Sequence, residues 1–514
     1  MANRPGSTLI FAAGAYANLT GPVLELGPAH SGSGAKHPTT FAAAPGAAVT
    51  LSGGFTIPPA AIHLYKRDAS GSAGCTAPPA SSASRVWTVD LLSLPAAPGQ
   101  DPPFSDVSAF GTIGGVNQPD SMAQLFVADE PMLLARYPDV NASDRRLWQW
   151  LRAEGGFNDT LMYKAADAAK VEEWQTAPDP HVHTFTHYEW SDSILNVSSI
   201  DTSNRSMRLS SPPGAKWCSA CCDPRQDSLP ARGRCVPHQP TWADGYGWAP
   251  NGSRWLGFNL PCELTDAGEW YLDRHTHPGR LYFIPPYDSF HPTTHPLTLS
   301  FAESVVMAHD GHDLRFEGLR IAHSRGAAMK ATAVSRVTVD NCSVGRSGAH
   351  GLLLDTRDGP LEPVDVSRDG LACDAEVSGQ QSRFATCVTR SEFTAIGGPA
   401  TAIMGGDVAS LRRADILFAD NKVADYSRWG RTCKHRVPLS LAADFPAVVS
   451  DILAHRPTSV QLQRRRPDLR RQFHSRRSAP GVLHQRQQRL HVLEQHSGGP
   501  RLRDGRFGRM VRGP

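Results

Sequence analysis

No stretch of the 514-residue chain stays apolar over the ~20 residues that a bilayer-spanning helix needs, so a helical membrane anchor is not expected. A secretory leader is missing too. Met1-Ala2-Asn3-Arg4-Pro5 runs straight into the strand-like Thr8–Phe11, without a charged n-region and apolar h-region. The expectation is a chain that is not exported, or one whose true start lies upstream. An excess of either charge sign is lacking: Lys and Arg number 52 against 49 Asp and Glu, a formal net charge of +3, so the whole chain does not look like a nucleic-acid binder. Calcium-type clusters of Asp are absent. No βαβ pattern surrounds Cys218-Ser-Ala-Cys221, which argues against a thioredoxin-like redox site. Helix signals are few, and residues 144–176 carry the best helical patterning, through Trp148, Leu151 and Ala165–Trp174.

What is present points outward from the cell. There are 10 cysteines and seven Asn-X-Ser/Thr sequons, at Asn18, Asn141, Asn158, Asn196, Asn204, Asn251 and Asn341. A single sequon is weak evidence, but together with the cysteines they favour an oxidising, extracellular route. Cys218, Cys221, Cys222, Cys235, Cys373 and Cys387 are the disulfide candidates, with connectivity left open. A competing reading takes Cys218, Cys221, Cys235 and His238 as a zinc site.

Short apolar runs punctuated by Gly, Pro, Ser and Asp give a strand-and-turn pattern. Thr8–Phe11, Val23–Leu26, Thr40–Ala43 and Val49–Leu51 read as successive strands, and Leu125–Val127 and Leu133–Ala135 flank a hairpin at Asp129-Glu130-Pro131. Between residues 300 and 435 an internal repeat emerges. Leu314–Ile321, Val337–Val344, Thr386–Phe393 and Ile416–Val423 superpose, at offsets of 23, 49 and 30 residues. Phe316, Val339, Val388 and Phe418 then share one position, and Ile321, Val344, Phe393 and Val423 another. A second strand follows in the first three repeats (Ala327–Lys330, Gly351–Leu354, Ala402–Met404), and the long offset demands an insertion near Thr356–Arg383. Stacked strand–turn–strand units suggest coils of a β-solenoid, with Asn341, Cys342 and Asn421 suited to ladders between coils. The competing architecture is a β-sandwich with irregular loops.

Several strings add a family likeness. LFVADEPMLLARYPDV (Leu125–Val140), ELTDAGEWYLDRHTHPGRLYFIPP (Glu263–Pro286), FEGLRIAHSRG (Phe316–Gly326), NCSVGRSGAHGLLL (Asn341–Leu354) and GGPATAIMGGD (Gly397–Asp407), followed by NKVADYSRWGRT (Asn421–Thr432), resemble stretches of right-handed parallel β-helix proteins of the pectin-lyase-like superfamily. The opening Gly21–Gly54 is similar as well, so the resemblance covers roughly residues 10–432. It implies an all-β, right-handed parallel β-helix. It also implies kinship with carbohydrate-active enzymes: glycoside hydrolases of the fucosidase or xylanase type, polysaccharide lyases and uronate epimerases. Fold is implied more strongly than chemistry. The expected organisation is N-terminal coils over 1–120, an inserted β-rich region with a Cys-containing loop over 121–299, the main coils over 300–435, and an Arg-rich tail over 436–514.

That tail has no Lys, Asn, Cys, Tyr or Trp, and the resemblance stops after Lys434. Two readings are open: a disordered basic arm, or translation in a shifted frame. Read one nucleotide later, Met510-Val511 must encode Trp, and ordinary codons allow ETGDSGAWYAG from Arg503–Pro514, a string similar to one the family carries.

Glycoside hydrolysis needs two carboxyl groups facing the scissile bond. Asp407, after Gly405-Gly406, is the first candidate, because a backbone without Cβ lets a sugar approach. Asp355, ending a second strand, is the next, and Asp310 reads as a turn residue. His350 is a candidate base or hydrogen-bond donor. Arg428, Trp429 and His323 are candidate substrate-binding residues, and Lys330 a candidate cation for a uronate. Trp190, Trp217, Trp242, Trp248 and Trp255 are candidate sugar-stacking aromatics. No cofactor is expected, with Ca²⁺ or Zn²⁺ the exceptions a lyase or the Cys cluster would bring. The expected partner is a polysaccharide. A glycoside hydrolase relative is the first reading, a lyase or epimerase the second, and a non-catalytic glycan binder the third.

Overall fold

A computed structural model describes residues 6–18, 21–67, 74–95, 104, 115–116, 121–141, 144–157, 159–185, 192–210, 216–217, 236–237, 251–359, 373–377, 380–406, 414–429, 439–443 and 448–453. The chain divides into two compact units, Met1–Arg465 and Arg466–Pro514, and the second lies wholly outside the described residues. The first is almost entirely β.

Parallel pairing builds two of the sheets. A 12-stranded sheet and a 6-stranded sheet hold the repeat. In the former, His312–Glu317 pairs with Ser335–Asp340, that strand with Thr386–Thr389, and that in turn with Ile416–Val423. The register sets Phe316 beside Val339, Val339 beside Val388, and Val388 beside Phe418. A second ladder in the same sheet joins Ile321 to Val344, Val344 to Phe393, and Phe393 to Val423. These are the two apolar positions shared by the sequence repeats. The N-terminal strands extend both ladders, since Phe41 pairs with Phe316 and Leu51 with Ile321. The 6-stranded sheet supplies a third parallel ladder, from Leu24–Leu26 through Val306–His309, Met329–Thr332, Leu352–Asp355 and Thr401–Gly405 to Leu439–Ala443.

Side chains alternate between the faces of each strand, and one face of all three ladders meets in a single apolar cluster that includes Phe41, Phe316, Val339, Ile321, Leu354 and Ile403. Phe41 and Phe316 stack with centroids 5.4 Å apart. Each such buried side chain stabilises the fold by ~1.5–3 kcal/mol. The corners repeat as well. Gly318, Asn341, Arg390 and Asp420 all hold left-handed backbone, at φ of +67, +51, +49 and +56°. Buried polar groups tie one level to the next: the Ser391 N–H donates to Asn421 Oδ1 at 2.8 Å, and Asn421 Nδ2 to the Val388 carbonyl at 2.8 Å.

Three local readings change. Residues 144–176 are not mainly helical. Asp144–Trp148, Leu151–Phe157 and Thr160–Tyr163 are strands, and the α-helix spans only Ala168–Glu173. Gly155-Gly156 weakens a helix, and Leu161 and Tyr163 are buried around an exposed Met162, a period of two. The hairpin at Asp129 is tighter than its apolar flanks suggested. Leu125–Val127 pairs with Glu130–Pro131, and Leu133–Leu134 instead joins a sheet with Glu269–Asp273. Finally, Leu439–Ala443 and Val448–Leu453 lie beyond position 436 yet pair in parallel with Thr401–Gly405 and Ile416–Val423. Regular pairing therefore runs past the boundary set by composition.

The region from about 121 to 299 contributes antiparallel sheets, to which the N-terminal segment lends Gly54–Ile57 and Trp87–Asp90. Disulfides join Cys75 to Cys262 and Cys373 to Cys387. Cys218, Cys221, Cys222 and Cys235 lie outside the described residues. No helix among the described residues is long and apolar enough to cross a membrane.

Candidate active site

The third ladder turns one face to the core and the other outward. Met329, Ala331, Leu352, Leu354 and Ile403 belong to the core cluster. The alternate residues form outward rows. Met307 pairs with Lys330, Lys330 with Leu353, and Leu353 with Ala402. One step further along, His309 pairs with Thr332, and Asp355 with Met404.

Asp355 ends its strand with its carboxylate buried and engaged on both oxygens. Arg357 Nε lies 2.8 Å from Oδ1 and Nη2 2.7 Å from Oδ2, and the Arg357 N–H donates to Oδ1 at 3.1 Å. Thr356 fastens this corner to the next strand, donating from N and Oγ1 to the Met404 carbonyl at 2.9 and 3.3 Å. Two glycines follow Met404. A Cβ on Gly405 would crowd Thr356 Oγ1 at 2.7 Å and Ile416 Cδ1 at 2.8 Å, and Gly406 holds φ +75°. Part of the Gly-Gly signal is thus local packing. Asp407 follows directly but lies outside the described residues.

The other sequence candidates occupy different places. His350 is half-buried within Gly348–Gly351. Its flanking glycines answer to backbone contact, since a Cβ on Gly348 would meet the Arg325 and Met122 carbonyls at 2.1 Å, and one on Gly351 the Ala400 carbonyl at 2.6 Å. Arg428 and Trp429 are buried where the parallel strands meet residues of the 121–299 region. Arg428 Nη1 donates to Gln124 Oε1 at 3.3 Å, and Trp429 packs edge-on to Trp148 with centroids 5.9 Å apart. Burial lowers the Arg428 pKa. Trp255 is fully buried against Trp174, a core role, while Trp190, Trp242 and Trp248 lie outside the described residues.

His323 belongs to a cluster that sequence reasoning did not assemble. Its Nε2 lies 2.8 Å from Asp129 Oδ1 and its Nδ1 3.1 Å from Ser52 Oγ. Arg320 Nη2 reaches Asp129 Oδ2 at 2.8 Å. The hydrogen bond from His323 holds the Asp129 carboxyl well below the usual carboxylate range, against burial and with help from Arg320. Burial pushes the His323 pKa down. The network assigns a neutral ring that donates from Nε2 to Asp129 and accepts the Ser52 hydroxyl at Nδ1. Ser52 Oγ also accepts the Gly54 N–H at 3.2 Å. His323 and Ser52 are both buried, so this arrangement clamps the strands Val49–Ser52 and Arg320–Ser324 and the Asp129 turn together. The sequence signal for it was the acidic pair Asp129-Glu130 at the turn between two apolar runs.

Among the described residues, no group of three or more His, Cys, Asp or Glu is placed to hold a metal ion.

No family model matches the chain, and no curated protein matches it. Solved structures do. A glycoside hydrolase superposes with a TM-score of 0.50 at 14% identity, over 82% of this chain and 67% of that one. A complex of XylC with xylose gives a TM-score of 0.34 at 8% identity, over 85% of this chain and 55% of that one. The first shows a likeness of fold; the second is too distant to support an inference.

Proposed function

From that shared fold we propose that the chain is a carbohydrate-active relative of the glycoside hydrolases, built as a right-handed parallel β-helix and acting on an extracellular or cell-wall polysaccharide. The three in-register ladders are then three sides of one coil, and the outward face of the 6-stranded sheet is the substrate groove. The observation that carries the reading is the pairing of Asp355 with Met404, three residues before Asp407, at one end of that face. Asp355 thus sits beside the strand that Asp407 follows in the chain.

In this reading Asp407 is the reacting carboxylate. Asp355 is the neighbouring one, and its pair with Arg357 fixes a cation at the same edge. Hydrolysis needs one carboxyl to protonate the leaving oxygen and another to act as base or nucleophile, and Asp407 takes one of these roles. Two disulfides are compatible with an extracellular setting.

Lyase or epimerase chemistry on a uronate is the second reading, favoured by the placement of Lys330 on the same outward face. Incubation with a panel of neutral and acidic polysaccharides separates the two. Hydrolysis releases reducing ends alone. Elimination releases unsaturated, ultraviolet-absorbing ends and would overturn the first reading.

A further inference from the structure

A cavity of about 590 Å³ opens on the antiparallel sheet formed by Arg280–Ile284, Trp87–Asp90 and His63–Leu64, and the mechanism above does not use it. Its volume falls in the range of small-ligand sites, ~300–1,000 Å³. Strand register explains its lining. Tyr282 pairs with Thr88, and Thr88 with His63, while Arg280 pairs with Asp90 one step along the same face. Tyr65 follows His63 at the same parity and meets the Tyr282 ring edge-on, with centroids 5.3 Å apart. Tyr282 is a buried floor, Tyr65 a half-buried wall, and Lys66 lies exposed at the rim.

The cavity lining mixes apolar and polar surface, and its charged groups are biased to positive. Lys66 and Arg280 line it against one carboxylate, Asp90. Asp90 already accepts the Ser93 hydroxyl at 2.8 Å, and among the described residues no carboxylate pairs with Lys66. His63 and His277 add two further nitrogen-bearing rings to the lining. The Thr88 hydroxyl donates to the Leu281 carbonyl at 3.0 Å, which leaves its oxygen free to accept.

We propose that this cavity binds one uronate residue of an acidic polysaccharide. Its carboxylate meets the Arg280 fork and the Lys66 ammonium, as charge-assisted bonds favour. Asp90 and Thr88 accept from ring hydroxyls, and the C–H face of the sugar lies against Tyr65. This names an acidic sugar where the proposed function names only a polysaccharide. It rests on that reading for the source of the ligand, though not for the site.

The test is calorimetric titration of the full chain with glucuronate, galacturonate, glucose and inorganic phosphate. One of the uronates binds and glucose does not. Arg280→Gln and Lys66→Gln each weaken uronate binding about tenfold or more. Asp407→Asn leaves it unchanged, so failure of the catalytic reading and failure of this one are distinguishable. The exposed Lys66 position keeps the test valid if Arg280→Gln unfolds the chain. Equal binding of glucose, equal binding of phosphate with the same sensitivity to both variants, unaltered binding in Lys66→Gln, or no uronate binding at all would each overturn the proposal.

Discussion

At the scale of single residues, buried polar side chains are the rivets between neighbouring strands. Asn421 satisfies the Ser391 N–H and the Val388 carbonyl together. Asn421→Ala removes both partners without opening either to water, so a loss of ~1–3 kcal/mol is expected, read as a shift in the denaturant midpoint at constant slope. The Asp129–His323 clamp gives a pH dependence whose sign follows from linkage. Both groups have depressed folded-state pKa values, so the unfolded chain binds more protons than the folded one. The stability they contribute is full above the ordinary histidine value of ~6.5. It falls as pH drops through that value, and falls again below ~4 as the unfolded Asp protonates. The melting temperature of the wild type should therefore decline between about pH 8 and about pH 5 more steeply than that of a His323→Gln/Asp129→Asn double variant. Parallel declines would show that the clamp carries no linkage.

At the scale of elements, glycine positions separate two costs. Gly318 sits at φ +67° with the nearest atom to an added Cβ, that of Ala43, at 3.5 Å. Gly318→Ala therefore costs only the left-handed backbone, ~1–2 kcal/mol. A Cβ on Gly345 would fall 1.9 Å from the Thr394 carbonyl oxygen, so Gly345→Ala must push two strands apart and lose several times as much. Thermal denaturation of the two variants side by side checks the ranking, and comparable losses would mean that the ladders are looser than described. Legibility differs among elements for the same physical reason. The first two ladders could be read from sequence because each repeat keeps two apolar positions five residues apart, as at Phe316 and Ile321 or Val339 and Val344. Their corners could not, since the left-handed residues Asn341, Arg390 and Asp420 carry no glycine signal. The strands of residues 144–163 were hidden because bulky side chains at Trp148 and Leu151 imitate a helical spacing. The clamp was hidden because Ser52, Asp129 and His323 are far apart in the chain and meet only through tertiary packing.

At the scale of the whole molecule, the fold makes one long outward face from short strands that could not hold a substrate singly. Each level adds a row, and the row that ends at Asp355 and Met404 leads into Asp407. Asp355 and Gly405-Gly406 stand out in the sequence because they close strands of the repeat; in the structure Asp355 pairs with Arg357, and Gly405 packs against Thr356. Arg428 and Trp429 are packed against Gln124 and Trp148, a docking of the inserted region that no local pattern announces. The most direct measurement is the turnover of Asp407→Asn on the polysaccharide that the wild type hydrolyses, with the melting temperature recorded alongside. Turnover is expected to fall by about 10²–10⁴-fold with melting unchanged. Undiminished release of reducing ends by that variant would contradict the assignment of Asp407, and with it the groove proposed here.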